Sequence, residues 1–244
     1  MNISSYLEIA KGKINNKFLK TLILSIYAGI FISLAAILST VVSFQIQNYS
    51  IAKILSGLVF PIGLILVILF KCELFTGNSL LVIPLISRKI SLKQLIRNFI
   101  IVYIGNLIGS LIVSLLIINT PISELLSDSL IKITNTKISY SFVSALILGV
   151  MCNFLVCISV YLSSISKSTL EKIFVIFIPI FTFIVLSLEH SIANMFYLSI
   201  GYLLDNSIHI TDLLLKNLLP VTIGNIIGGM VLGISIWYLK EKKL

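Results

Sequence analysis

The sequence predicts an all-α integral membrane protein. Six transmembrane helices form two inverted three-helix repeats, with the second and fifth helices broken. Three observations predict this. The 244-residue chain is 58% hydrophobic and only 11% charged, with a mean hydropathy of +1.11. A soluble domain averages about 25% charged residues, and no water-soluble surface can be made from so few. Polar punctuation then divides the chain into six oily blocks, roughly 21–44, 54–86, 98–119, 138–163, 173–204 and 217–239. Finally, two distant octapeptides, VYIGNLIG (102–109) and VTIGNIIG (221–228), agree at six of eight positions.

The elements follow in chain order. Residues 1–20 form an N-terminal segment in which SSYLEIAKGKINNKFLK has apolar residues at helical spacing and four lysines. It reads either as an amphipathic helix on the inner membrane surface or as a plain cytoplasmic tail. The first block is too long for a cleavable signal peptide and no A-x-A site follows it, so it reads as an uncleaved first span. One helical crossing takes about 17–25 residues. Block 54–86 is too long for that and too short for two crossings plus a turn. It also contains Pro61, Pro84 and the polar cluster ELFTGN (73–78), and a helix broken inside the membrane accounts for both facts. Block 98–119 closes a first three-span unit, 21–120.

The second unit, 121–239, repeats the pattern. Block 138–163 has the length of one crossing. Block 173–204 is again too long, contains Pro179, and carries EHSIAN (189–194) after the apolar IFVIFIPIFTFIV. Block 217–239 ends the unit, and 240–244 is a cytoplasmic tail. Glu is followed five residues later by Asn in both polar clusters, 116 residues apart; the Gly-Asn motifs lie 119 apart. Gly105/Gly109 and Gly224/Gly228 are small-x-x-x-small pairs that let helix backbones approach closely. Three crossings per unit make the copies run in opposite directions, and the site of such proteins forms where two interrupted helices meet.

The net charge of +9 is topological. Lys11, Lys13, Lys17, Lys20, Arg88, Lys89, Lys93, Arg97, Lys167, Lys172, Lys240, Lys242 and Lys243 fall on one side, against Lys53, Lys132, Lys137 and Lys216 on the other. The positive-inside rule then puts both termini in the cytoplasm of a multi-pass plasma-membrane protein. No nucleic-acid motif accompanies the charge, so the partner called for is the lipid bilayer and not a nucleic acid. Cys72, Cys152 and Cys157 all fall within spans and read as small packing residues rather than a disulfide or zinc set.

The candidate site is the interruption itself. A charge at mid-bilayer costs at least about 2.5–3.5 kcal/mol on insertion scales, which makes Glu189, His190 and Asn194 functional candidates. Non-helical backbone at that depth must be buried in protein or line a wet cavity. There these residues would face their counterparts Glu73, Thr76 and Asn78, and free backbone N–H groups would suit an anion. A membrane enzyme, such as an intramembrane hydrolase or a lipid-modifying transferase, is disfavoured. There is no HExxH, no Ser/His/Asp set and no carboxylate cluster for a metal, and nothing calls for a cofactor. An ammonium channel would need paired pore histidines, whereas His209 lies in an outer loop.

With ELFTGN, CNFLVC (152–157), EHSIANMF (189–196) and VTIGNIIGG (221–229) in view, the chain from about 20 to 239 resembles the formate/nitrite transporter family. The resemblance implies an aquaporin-like protomer assembled as a pentamer, with one pore per protomer for a small monovalent anion. Formate is the first expectation, with nitrite or hydrosulfide as alternatives. The family's pore histidine matches His190 and its loop threonine matches Thr76. The apolar side chains that narrow its pore match Phe60, Leu64, Leu74, Val156 and Phe183. Its outer lysine matches Lys137, and its asparagines match Asn153, Asn194 and Asn225. The aquaporin Asn-Pro-Ala signature is absent. One departure is Lys71-Cys72 ahead of Glu73, where family members usually have small residues; Lys71 either pairs with Glu73 or reaches toward the cytoplasm.

The resemblance also implies a mechanism. A bare anion between Phe and Leu side chains would lose its hydration at a cost of many kcal/mol, which protonation of a weak acid largely removes. Lys137 and backbone dipoles would attract the anion. A proton from His190, or from water through it, would neutralise it beside Thr76. Glu189 would orient His190 or hold the broken backbone.

Overall fold

The computed structural model describes residues 3–241, and all regular structure among them is helical. Lys242 and Lys243, with the end of the expected tail, lie outside the described residues. Ten helical segments follow one another: α1 (Ser4–Asn15), α2 (Phe18–Val41), α3 (Tyr49–Leu69), α4 (Phe75–Ile86), α5 (Leu92–Ile117), α6 (Pro121–Ile138), α7 (Phe142–Ile165), α8 (Thr169–Val185), α9 (Ser191–Leu204) and α10 (Ile210–Lys240). Five of them, α2, α3, α5, α7 and α10, are long and apolar enough to cross a membrane. Their outward faces carry exposed Leu34, Ile62, Ile100, Leu115, Val143 and Ile234, a surface suited to lipid rather than water.

The two overlong blocks are interrupted. The first is divided between α3 and α4, and the second between α8 (17 residues) and α9. Each interruption begins with a non-glycine residue in the left-handed region, Lys71 at φ 53° and Ser187 at φ 54°. An extended residue, Leu74 or His190, then opens the next helix. Four other helix starts are closed by side-chain caps. Ser91/Gln94 and Ser168/Glu171 form capping boxes, and Asn48 and Ser141 accept first-turn N–H groups.

Close backbone crossings hold the helices together. A Cβ at Gly105 would collide with Ser25, at Gly109 with the Ile26 carbonyl, and at Gly29 with the Asn106 carbonyl, so α5 lies directly on α2. The same arrangement recurs between α10 and α7. Gly224 meets the Leu146 carbonyl and Gly228 the Val150 carbonyl, while a Cβ at Gly149 would lie 2.9 Å from the Val221 carbonyl. Only glycine permits this approach, and the dispersion contacts it brings replace the hydrophobic drive that lipid removes.

The N-terminal segment is a helix docked against the rest of the protein. α1 packs against α7 and buries Ile3, Tyr6 and Ala10. A second short helix, α6, was not anticipated because it is too polar to form an oily block. It carries Glu124, Asp128 and Lys132 on exposed positions but buries Ser123, Leu126, Leu130 and Thr134. Near the start of α10, Leu213–Leu218 is wound as a π-helix, which turns Asn217 inward.

Candidate functional site

The two interruptions are built alike. At the first, the Asn106 amide oxygen accepts the Phe75 N–H at 2.9 Å, and its nitrogen donates to the Ser25 and Glu73 carbonyls at 2.8 and 2.9 Å. At the second, Asn225 accepts the Ser191 N–H at 2.8 Å and donates to the Gly149 and Glu189 carbonyls at 2.8 and 3.0 Å. Each asparagine supplies the hydrogen bonds that the broken backbone would otherwise lack at this depth.

A carboxylate cluster backs each break. Glu73 accepts from Lys13 at 2.9 Å and from Asn78 at 2.8 Å, and Asn78 also donates to Asn98 and accepts from Lys13. Glu189 accepts from Lys137 at 2.8 Å, from Asn194 at 2.6 Å and from Asn217 at 2.9 Å. Both carboxylates are buried, and a buried charge is tolerable only with an opposite charge and saturated hydrogen bonding. The lysines arrive on the two short helices, Lys13 from α1 and Lys137 from α6.

Among the described residues, one direct contact joins the polar side chains of the two breaks. His190 caps α9, its Nδ1 accepting the Ala193 N–H at 3.1 Å. That N–H can only donate, so the ring proton sits on Nε2, which donates to Thr76 Oγ1 at 2.9 Å. Placing a proton on Nδ1 as well would set two N–H groups against each other. The Thr76 hydroxyl, accepting from Nε2, keeps its own hydrogen to donate. The Thr76 carbonyl is held from behind by Asn153 Nδ2 at 3.1 Å and by Cys157 Sγ at 3.5 Å.

His190 lines a cavity of only about 10 Å³ with Phe60, Leu64, Leu74, Val156 and Phe183, together with Ile32 and Ile180. Each of the first six is at most 3% exposed. Phe183 stacks on the imidazole at 5.9 Å between centroids, and Phe60 meets Phe183 edge-on at 5.6 Å. Two larger cavities flank this constriction. One, about 550 Å³, lies on the α1 side, shares Leu64 and Leu74 with it, and is lined by Lys13, Lys20, Lys71 and Lys172. The other, about 320 Å³, is lined by Lys53, Lys132, Lys137, Tyr140 and Glu189.

The structure thus gathers His190, Thr76 and all five apolar candidates, and sorts the other polar candidates elsewhere. Lys137 and Glu189 line the second vestibule as a closed ion pair, and the Glu189 carboxylate makes no bond to the imidazole. Asn194 and Asn225 line neither vestibule nor the constriction; the Asn194 amide nitrogen is held by the cluster and the Asn225 amide by the break. Lys71 does not pair with Glu73: Lys13 holds that carboxylate, and Lys71 is exposed at the α1-side cavity. Lys13, Asn98, Asn106 and Asn217 were not singled out from sequence. The signal existed for three of them: Asn98 and Asn217 are 119 residues apart, as are Asn106 and Asn225.

Comparisons with known proteins match both the sequence and the fold. The sequence model described as "Formate/nitrite transporter" matches residues 2–239. Formate channel FocA of Escherichia coli K12 is 33% identical over 252 residues, covering 91% of this chain and 88% of that protein. A solved pentameric formate channel with formate bound superposes with a TM-score of 0.84 at 33% identity, covering 93% of this chain and 98% of that one. An FNT family ion channel superposes with a TM-score of 0.86 at 25% identity, covering 97% and 99%. A membrane protein with two asparagine-locked breaks meeting at His190 and Thr76, matched over nearly its whole length to transporters and channels rather than enzymes, belongs to the formate/nitrite transporter family.

Proposed function

We propose that this chain is a channel for a small monovalent anion of a weak acid, formate first, and that passage takes a proton. Nitrite and hydrosulfide are the alternatives within the same family. The observation that carries the reading is the His190–Thr76 bond of 2.9 Å in an apolar constriction of about 10 Å³ between two lysine-lined vestibules. No hydrated ion fits there, and a bare charge would forfeit several kcal/mol or more of hydration. The neutral acid would lose far less. The Nε2–H and the Thr76 hydroxyl are the donors that an arriving anion would meet. Giving up the Nε2 proton outright would leave an imidazolate in an apolar site. The proton therefore comes from hydronium supplied by the solution of the incoming vestibule, leaving neutral water behind, and His190 and Thr76 orient the anion that receives it.

The same reading assigns six spans in two inverted units, 21–120 and 121–239, in an aquaporin-like protomer, with the paired clusters at Glu73 and Glu189 as its support. Both termini and the α1-side vestibule face the cytoplasm, on the strength of the lysine and arginine bias. We assign a pentamer in the plasma membrane, and the relative solved as a pentamer supports the assembly.

The test is flux of formate, nitrite and hydrosulfide into proteoliposomes, with and without an imposed pH gradient, for native protein and His190→Asn. Asn still caps a helix by accepting the Ala193 N–H, so the fold survives while the Nε2–Thr76 link is lost. Formate flux that rises with acid on the incoming side and fails in the mutant is expected. Equal flux of all three anions, with the mutant unimpaired, overturns the reading.

A further inference from the structure

We infer that Lys53, seconded by Lys132, forms an anion-holding site in the vestibule opposite α1, ahead of the constriction. The inference rests on the transport reading above and assigns a role that the sequence placed on Lys137. The Lys137 ammonium is bound to Glu189 at 2.8 Å, so the pair presents almost no net charge to an arriving ion. Lys53 is different. It is half-buried in the wall of the same cavity, and no carboxylate lies within 4.0 Å of its ammonium among the described residues. Its close partner is the Tyr49 ring, 5.5 Å away at the centroid. Tyr49 is in turn bonded through its hydroxyl to Ser187 at 3.0 Å, which fixes the lysine's perch to the second break. Lys132, exposed on α6, adds a second cation to the rim, and Tyr140 lines the wall.

The cavity holds about 320 Å³, ample for a small carboxylate or inorganic oxyanion with part of its hydration shell. With Glu189 neutralised by Lys137, the remaining charge of the vestibule is positive. Low-dielectric walls focus such a field and raise the local anion concentration. Lys53 therefore acts on capture and not on the constriction. Its effect belongs in the half-saturating concentration and in the salt dependence, and the maximal rate is set at His190 and Thr76.

The experiment measures formate uptake across this vestibule in oriented proteoliposomes, at low (about 10 mM) and high (about 300 mM) ionic strength, where the Debye length falls from about 30 Å to below 10 Å. Lys53→Gln should raise the half-saturating formate concentration about threefold at low salt, and Lys53→Glu about tenfold, as loss or reversal of one charge several ångströms from the ion requires. Lys53→Arg should match the native protein, and maximal rates should be unchanged. The differences should shrink at high salt. Lys132→Gln, on an exposed position that folding does not depend on, should give about a twofold rise. Native half-saturation in Lys53→Gln and Lys53→Glu at low salt overturns the inference, as does a shift that salt does not reduce. A native protein that carries no formate at all refutes the transport reading instead.

Discussion

Replacing Glu189 with Gln tests what holds the second break in place. The carboxylate is 3% exposed in its side chain and accepts three bonds, from Lys137 on Oε1 and from Asn194 and Asn217 on Oε2. Gln has the same shape, but its single oxygen can keep only the two asparagine donors. Its amide nitrogen then faces the Lys137 ammonium, donor against donor. A hydrogen bond to a charged group contributes about 1.5–3 kcal/mol. Lys137 is itself only 13% exposed, so its abandoned charge adds to the loss. About 3 kcal/mol of destabilisation is expected for Glu189→Gln. Lys137→Met strands a buried carboxylate on two neutral amides and should cost about 4 kcal/mol, within the range for orphaning one member of a buried pair. Because each single change is dominated by the abandoned partner, the double mutant should cost about 4 kcal/mol in total. The coupling is then about 3 kcal/mol. Reversible unfolding in mixed micelles, followed by far-ultraviolet circular dichroism, measures all three. Additive costs, with coupling below about 0.5 kcal/mol, would refute the claim that the pair acts as one unit.

Asn225→Ala leaves the Ser191 N–H and the Gly149 and Glu189 carbonyls without their partner; at about 1–3 kcal/mol for each unsatisfied buried group, a loss of at least about 3 kcal/mol is expected. Asn106→Ala should match it, both read as a fall of about 10 °C in the midpoint of thermal unfolding. Gly228→Ala drives a Cβ into the Val150 carbonyl, backbone against side chain with nothing flexible to yield, and should destabilise by about 1–3 kcal/mol. The control is Gly12→Ala, where nothing lies within 4 Å and helix propensity gains up to about 1 kcal/mol. Thr76→Val keeps the shape but removes the acceptor of the His190 Nε2–H, and formate flux should fall at least about tenfold while Thr76→Ser stays near native. Equal flux in Val and Ser variants would remove Thr76 from the pathway.

Much of the site was legible before any coordinates. His190 and Thr76 stood out because polar residues have no other reason to interrupt so apolar a run, and the Glu-to-Asn spacing repeated around them. The five apolar wall residues were legible only through resemblance. Nothing in their type separates Phe60 or Val156 from an ordinary packing residue, and their role depends on which direction each side chain faces. Lys137 illustrates a different limit. It was matched to the family's outer lysine, but its charge was counted as available when a carboxylate 52 residues away in sequence had already bound it.

The sequence by itself determined that the chain lives in a membrane, where its two polar interruptions fall, and that its glycine-asparagine motifs recur 119 residues apart. Hydropathy, block length and repetition are one-dimensional properties, and lipid imposes the first two on any helical fold. Only the tertiary structure decided which cation neutralises which carboxylate and which ring nitrogen carries the proton. Lys71 is two residues from Glu73, yet its left-handed backbone leaves it exposed at the cavity; Lys13, 60 residues away, arrives on a docked helix to take the bond. The His190 tautomer depends on the Ala193 N–H lying 3.1 Å from Nδ1, a consequence of where the broken helix restarts. Those choices belong to distance and direction, which close packing sets and sequence separation does not record.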